Sequence, residues 1–321
     1  VALINSSHLV RLRCQRGARL VCAKSDLSNY YHQLRIPEEW RPYLCLPSLT
    51  RDECASIGIP FDTPFPMCTT LPMGFSHAVF LAQTVHEHIL YGDEEELTTT
   101  VSASPLKRCD NILTLSTPWI DRPIHMIYID DVGFFSLWED RDVCNRLLDY
   151  ALHRYAMFGF PVNMKKLVRP TMSSVCMIGI VVTGEHCRLS IDIDDLLQLL
   201  HRTYYILHQS CHGQKVQVHE VESIIGTWTW FIMIRRPILC VLNHTYQWIV
   251  ACTQYAQKAD VLWRKVQREL LTMSLCVLAP LLNQSLESSF HPLVYATDAS
   301  DIGAGVCHAT SNSSTLPTVT M

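Results

Sequence analysis

Two apolar runs, 124–129 and 132–137, flank a pair of adjacent carboxylates, Asp130 and Asp131. Runs of that length read as strands, and the aspartates fall where a tight hairpin turn belongs. Asp tolerates the left-handed backbone that such a turn asks for. Two like charges at the tip of a buried hairpin raise each other's pKa unless a cation neutralises them. A divalent metal on hard oxygen ligands is the economical explanation. Taken alone, an Asp-Asp pair is more often an exposed turn, so the rest of the chain has to decide.

The pattern elsewhere supplies a layer for this hairpin. Residues 20–25 read as a strand closed by Asp26, and 26–34 as a polar, aromatic turn into a short helix. After the turn at 71–75, Ser76 is expected to cap a helix whose face is Val79, Ala82, Val85 and Ile89. The pattern fails over 91–122, where an acidic run at 93–96 precedes Thr and Ser; this reads as a solvated insertion loop. Beyond the hairpin, Asp140 caps a second helix, with Val143, Leu147, Leu148, Ala151, Leu152 and Tyr155 on one face and Gly159 at its end. Residues 175–182 read as one further strand. Strand, helix, hairpin, helix, strand is the order of an α+β layer, an antiparallel sheet with helices on one face. From 190 to 290 the pattern is helical: 196–200 open one helix, 221–242 supply a second broken at Pro237, and 248–271 a third. Residues 293–300 form a new strand, which places a boundary near 285–290.

Composition narrows the class. With 321 residues, 48% of them hydrophobic, the chain can bury a core. A formal charge of -4 argues against nucleic-acid binding by bulk charge, though a local basic groove is allowed. Arg11, Arg13, Arg16 and Arg19 are either a solvated basic stretch or phosphate contacts. The fourteen cysteines contain no Cys-x-x-Cys and are spread along the chain, so reduced buried thiols are expected. His86 and His88, and Cys211 and His212, lack partners at zinc-site spacing. Arg235, Arg236 and Pro237 break the most apolar stretch, and no membrane segment is expected. Both ends are read as cut from a longer chain.

Motifs in order now carry a resemblance. Asp26-Leu-Ser-Asn-Tyr-Tyr, then Leu71-Pro-Met-Gly-Phe-Ser with Phe80 and Gln83, then Tyr128-Ile-Asp-Asp resemble the first three motifs of reverse transcriptases. Phe158-Gly-Phe-Pro-Val-Asn-Met-Lys-Lys and Met177-Ile-Gly resemble the fourth motif and the primer grip. The Pro-Met-Gly form and 221–226 look like the long-terminal-repeat, tyrosine-recombinase (DIRS-type) or hepadnavirus branch. Residues 295–305 resemble the first strand of a retroelement RNase H, with Asp298 its first acid.

The resemblance implies a fingers remnant at 1–19 and a polymerase palm at 20–189. It implies a helical thumb or connection at 190–289 and a truncated RNase H start at 290–321. It implies an RNA-directed DNA polymerase segment of a retrotransposon polyprotein; the alternative is an inactive relic that keeps the fold and some nucleic-acid affinity. Asp26 and Asp130 would bridge two Mg²⁺ ions, with Mn²⁺ an alternative, and Asp131 would be the accessory acid. Lys166, or Lys165, would meet the leaving pyrophosphate. Tyr31 would exclude a ribose 2′-hydroxyl, and Leu27, Met73, Gly74, Gln83 and Tyr128 would complete the substrate site. The partners implied are an RNA or DNA template with primer, deoxyribonucleoside triphosphates and the rest of the polyprotein. No membrane is implied, and the location implied is intracellular, cytoplasm or nucleus. His77-Ala78 departs from the usual Ser-Pro of the second motif, and the later RNase H acids are missing. Weak extension, no cleavage of RNA–DNA hybrid, and a disordered stretch over 306–321 are therefore expected.

Overall fold

The computed structural model describes residues 3–10, 12–61, 65–92, 104–105, 123–276, 283–287, 293–300 and 303–310. Its central sheet has five strands: β1 (Leu20–Asp26), β2 (Ser104–Pro105), β3 (Ile124–Tyr128), β4 (Asp131–Leu137) and β5 (Val168–Thr171). Their order is β2-β3-β4-β1-β5. All neighbours are antiparallel except the short β2–β3 pair. Most of the stretch expected to be an insertion loop, 93–103 and 106–122, lies outside the described residues.

Strand alternation divides the sheet into two apolar faces. Val21, Ala23, Val132 and Phe134 face the helices Ala78–Tyr91 and Arg141–Phe158, whose Ala82, Ile89, Leu148, Ala151 and Tyr155 complete that core. Leu20, Cys22 and Phe135 face the other way, into a larger core. There lie a second sheet and the helix Val218–Ile232. Ile4, Leu9, Leu12 and Cys14 are buried in this second core, and the Ser6 hydroxyl donates to the Trp230 carbonyl at 2.8 Å. Residues given above to a fingers remnant thus pack on the helical half of the molecule.

Four details differ from the sequence reading. Residues 175–182 are a hairpin, β6 (Val175–Met177) and β7 (Ile180–Thr183), not one strand. Its two-residue turn has Ile178 and Gly179 at φ 47° and 75°, the left-handed geometry that matches hairpin twist. β8 (Arg188–Ser190) and β11 (Gln284–Ser285) extend this sheet. The helix expected over 248–271 is two helices, Asn243–Gln254 and Arg264–Cys276. Between them Ala256 turns at φ 51°, and β10 (Ala259–Asp260) pairs with β9 (Val216–Gln217). The helix at 78 starts after His77 with no side-chain cap, because the Ser76 hydroxyl bonds the His77 ring instead. Finally, β12 (Leu293–Ser300) and β13 (Gly303–Thr310) pair along their whole length, so 306–310 are ordered in a hairpin; 311–321 lie outside the described residues.

Val218–Gln254 is apolar and long enough by composition to cross a membrane. It is broken at Arg235, whose φ and ψ are non-helical, and Pro237 lies within the same 3-10 stretch. Trp228, Phe231, Ile232, Leu242 and Trp248 are buried in the protein core.

Candidate active site

The site is built from the β3–β4 turn. Tyr128 pairs with Asp131, so Ile129 and Asp130 form a two-residue turn. The left-handed residue is Ile129 at φ 55°, not an aspartate. A branched side chain there costs about 1–3 kcal/mol and persists only when its surroundings hold it. The surroundings are visible. The Ile129 N–H donates to Gln83 Oε1 at 2.7 Å, and Gln83 Nε2 donates to the Ile127 carbonyl at 3.2 Å and to Glu87 Oε1 at 2.8 Å. His86 Nδ1 lies 2.7 Å from the Ile129 carbonyl, and its Nε2 lies 2.6 Å from the Tyr155 hydroxyl. A carbonyl only accepts, so Nδ1 carries the proton and Nε2 accepts from Tyr155. Burial pulls the His86 pKa down to about 4, against the bond to Ile129, and keeps the ring neutral. His86 thus has a structural task, and His88 is exposed.

Asp26 meets this turn from β1, directly opposite Asp131 in the register. It is 4% exposed. The chain after the helix Arg141–Phe158 returns to it. Gly159, at φ 73°, ends that helix, and the Ser28 N–H bonds the Pro161 carbonyl. The Asn163 N–H bonds the Asp26 carbonyl at 2.8 Å. This zipper brings Lys166 Nζ to 2.8 Å from Asp26 Oδ2. A second cation stands on β1 itself: Lys24 Nζ lies 3.1 Å from Asp131 Oδ1. That oxygen is buried and lacks a hydrogen bond of proper geometry.

The electrostatics follow. Burial raises the Asp131 pKa to about 6; Lys24 opposes this, and Asp130 and Asp26 add to it. Asp130 is raised by burial and by Asp26, and lowered by its own backbone amide, Lys166 and Lys24. The bond to Asp26 raises Lys166. Burial, then the Asp130 charge, raises the Tyr31 phenol.

A cavity of about 750 Å³ opens beside the acids and is lined by Asp26, Leu27, Tyr31, Met73, Asp130 and Lys166, among others. The structure brings these six sequence-derived residues together. Gly74 follows Met73 on the exposed turn, and a Cβ there would meet nothing within 4 Å. The protein's own packing therefore does not require glycine at 74. Gln83 is not on the cavity: it is 3% exposed and lies behind the turn, both amide atoms engaged. Its place in the substrate site is corrected to one supporting the turn. Tyr128 packs on Trp230, ring centroids 6.3 Å apart. Asp298 lies on β12 opposite Gly305, and its side chain is outside the described residues. Among the basic residues near the start, Arg19 stacks on Trp138, with Arg141 on the same ring.

The donor set suits a hard divalent cation: three carboxylates, one with a buried oxygen lacking a hydrogen bond. Among the described residues, no three His, Cys, Asp or Glu side chains are already arranged to hold one. Lys166 and Lys24 supply the positive charge instead. Sequence reading gave Lys24, His86 and Tyr155 no part in holding the acidic turn. Lys24 was findable, being two residues before Asp26 on the same strand face; the His86–Tyr155 contact spans 69 positions and left no trace in the pattern.

No family model matches the sequence, and no curated protein matches it. Solved structures do match. One is a foamy viral protease-reverse transcriptase in complex with RNA/DNA hybrid, at 14% identity and TM-score 0.52, covering 97% of this chain and 34% of that one. Another is the foamy viral protease-reverse transcriptase dRH in complex with ds DNA, at 15% identity and TM-score 0.50, covering 96% and 44%. The chain therefore has a reverse-transcriptase-like fold and spans less than half the length of either structure.

Proposed function

We propose that this chain is the reverse transcriptase segment of a retroelement polyprotein, an RNA-directed DNA polymerase. Residues 20–189 would be its palm, 190–289 its thumb or connection, and 290–321 the start of an RNase H. The observation that carries this reading is the register that sets Asp26 against Asp131, with Asp130 beside them, at the mouth of a cavity holding Tyr31 and Lys166. The fold agrees with it, and the two similar structures hold a DNA duplex and an RNA/DNA hybrid.

In this reading a primer 3′-hydroxyl attacks the α-phosphate of a deoxyribonucleoside triphosphate, and pyrophosphate leaves. Asp26, Asp130 and Asp131 would hold Mg²⁺ or Mn²⁺, which supplies charge stabilisation of the attacking and leaving oxygens. Lys166 is 57% exposed along its side chain while Asp26 is 5% exposed, so the ammonium can turn to an arriving triphosphate once a cation takes its place at the buried carboxylate. There it neutralises or protonates the departing pyrophosphate. Tyr31 walls the cavity where a ribose 2′-hydroxyl would project. Leu27 anchors the floor, its N–H bonded to the Asp130 carbonyl at 3.0 Å. Met73, 69% exposed, and Gly74 present an open edge to template and nucleotide. The Gln83 and His86 bonds fix the turn before substrate arrives, which is how positioning lowers a barrier.

The test is extension of a primed RNA template with deoxynucleotides and Mg²⁺. Asp130→Asn should remove nearly all incorporation while leaving the circular dichroism spectrum unchanged. Equal incorporation by Asp130→Asn would remove the acids from the chemistry. Metal and template binding without any extension would favour the inactive-relic reading.

A further inference from the structure

We propose that the outer face of the helix Ile193–Cys211 is a self-association surface, on which a second copy of this chain packs antiparallel about a two-fold axis. Pairing there takes nothing from the acidic centre and stands apart from the polymerase reading.

The helix carries two seams where a surface helix needs one. Leu196, Leu199, Thr203, Ile206 and Ser210, at alternating spacings of three and four, are buried against the rest of the protein. Ile193, Leu197, Leu200, Tyr204, Leu207 and Cys211 form the second, at alternating spacings of four and three along the whole helix. That 3.5-residue period is what a helix shows to another helix packed along it. Leu200 and Leu207 lean on the core, but Ile193, Leu197 and Tyr204 are 62%, 55% and 46% exposed. A continuous row of exposed apolar side chains marks an interaction surface, where scattered ones do not.

The surface fits its own copy. A groove of about 580 Å³ lies along the C-terminal half of the seam, lined by Tyr204, Leu207, Cys211, Leu271, Arg264 and Arg268, among others. In the N-terminal half, Ile193 and Leu197 stand out as a ridge. A two-fold axis through the middle of the seam sets Ile193 of one copy opposite Cys211 of the other, Leu197 opposite Leu207, and Leu200 opposite Tyr204. Each ridge then enters the other copy's groove, the self-complementary contact that two-fold symmetry demands. Charge selects the direction. The N-terminal end of the helix carries Asp192, Asp194 and Asp195, and the far end of the surface carries His208, His212, Arg264 and Arg268. Antiparallel packing brings each acidic end to the other copy's basic end and opposes the helix dipoles, both favourable. Parallel packing would set acids on acids and bases on bases.

The test is sedimentation equilibrium of the full chain, with folding checked by circular dichroism. Wild type should associate to a dimer as concentration rises. Leu197→Asp and Tyr204→Asp, both on the exposed row, should keep the wild-type spectrum and weaken association at least about tenfold, the loss expected when a charge enters a dry central contact. If either does not fold, Leu197→Ser carries the same expectation. The direction is read by cross-linking Ile193→Cys with oxidised glutathione, which takes the hydrogens of two thiols and leaves a disulfide between them. The product should be a covalent dimer joined from position 193 to Cys211, lost when Cys211→Ser is added. A wild-type monomer at every concentration would overturn the proposal, and shielding of a Leu197→Cys thiol in that monomer would give the seam to another part of the same chain. A dimer indifferent to the seam variants would overturn it too. Absence of the 193-to-211 link, or cross-linking of wild type from Cys211 to Cys211, would overturn the antiparallel arrangement.

Discussion

Ile129 carries the backbone strain of the acidic turn, and single side chains decide whether that strain is held. His86 is one of them. Its folded pKa of about 4 lies below the ordinary histidine value of about 6.5. Between those values the unfolded chain binds a proton that the folded chain refuses. The stability that neutral His86 contributes is therefore present above pH 6.5 and lost as pH falls toward 4. Urea midpoints at pH 7 and pH 5 should fall further in wild type than in His86→Gln; parallel falls would mean that the ring is not held neutral. Tyr31 gives a second test at this scale. In an active chain, Tyr31→Val should raise the use of ribonucleotides relative to deoxyribonucleotides, because the half-buried ring fills the space a 2′-hydroxyl needs. An unchanged ratio would return Tyr31 to an ordinary wall position. Asp130 and Asp131 stand out in the sequence because their apolar setting is local, whereas Asp26 as a partner acid and Lys166, left open against Lys165, came only with the resemblance. Ile129 and His86 were not legible there, because what each does depends on a partner reached only through the fold.

Elements are held at their ends by residues from elsewhere. The helix Asn243–Gln254 has no cap from its own N-cap residue, Leu242. Glu269, from the helix Arg264–Cys276, supplies one. Its Oε1 accepts from the His244 N–H at 2.9 Å, and its Oε2 from the Thr245 N–H and hydroxyl, each at 2.8 Å. The His244 ring lies 2.7 Å from Oε1. Two orphan amides at a helix N-terminus are thereby satisfied by a carboxylate, which the helix dipole also favours. Burial raises the Glu269 pKa, but the bonds outweigh it and the net shift is downward. Glu269→Ala should destabilise the protein by about 2 kcal/mol, the scale of a lost cap plus charged hydrogen bonds. A thermal midpoint within error of wild type would contradict this. A similar device holds the β6–β7 hairpin: Trp230 Nε1 donates to the Ile178 carbonyl at 2.8 Å, beside Gly179 at φ 75°. The sequence showed both helices as one run, because apolar residues recur at Ala259, Val261 and Leu262 and nothing local marks the Ala256 turn or β10. It showed the hairpin as one strand, because Ile178 is itself a strand-former and hides the turn that Gly179 permits.

At the scale of the whole molecule, the α+β layer with its central hairpin was legible because each strand and helix carries its own period. The second core was not. It joins residues 4–14, β6–β8 and the helices beyond 193, and long-range packing of that kind has no local signature. The tie between Cys14, Cys187 and Leu286 is one example: the Cys14 N–H bonds the Leu286 carbonyl, and the Leu286 N–H bonds the Cys187 carbonyl. This unit forms the opposite wall from the two helices behind the acids, and it fixes β1 between them. The central claim is that the ends of β1 and the β3–β4 hairpin together form a metal-held nucleotidyl-transfer centre. Anomalous diffraction at the manganese edge tests it most directly, on crystals holding Mn²⁺ and a deoxyribonucleoside triphosphate. The account predicts manganese in direct contact with the Asp26 and Asp130 carboxylates, with Lys166 moved from Asp26 onto the phosphates. Manganese absent from those carboxylates, or a nucleotide bound away from the cavity beside Tyr31, would contradict it.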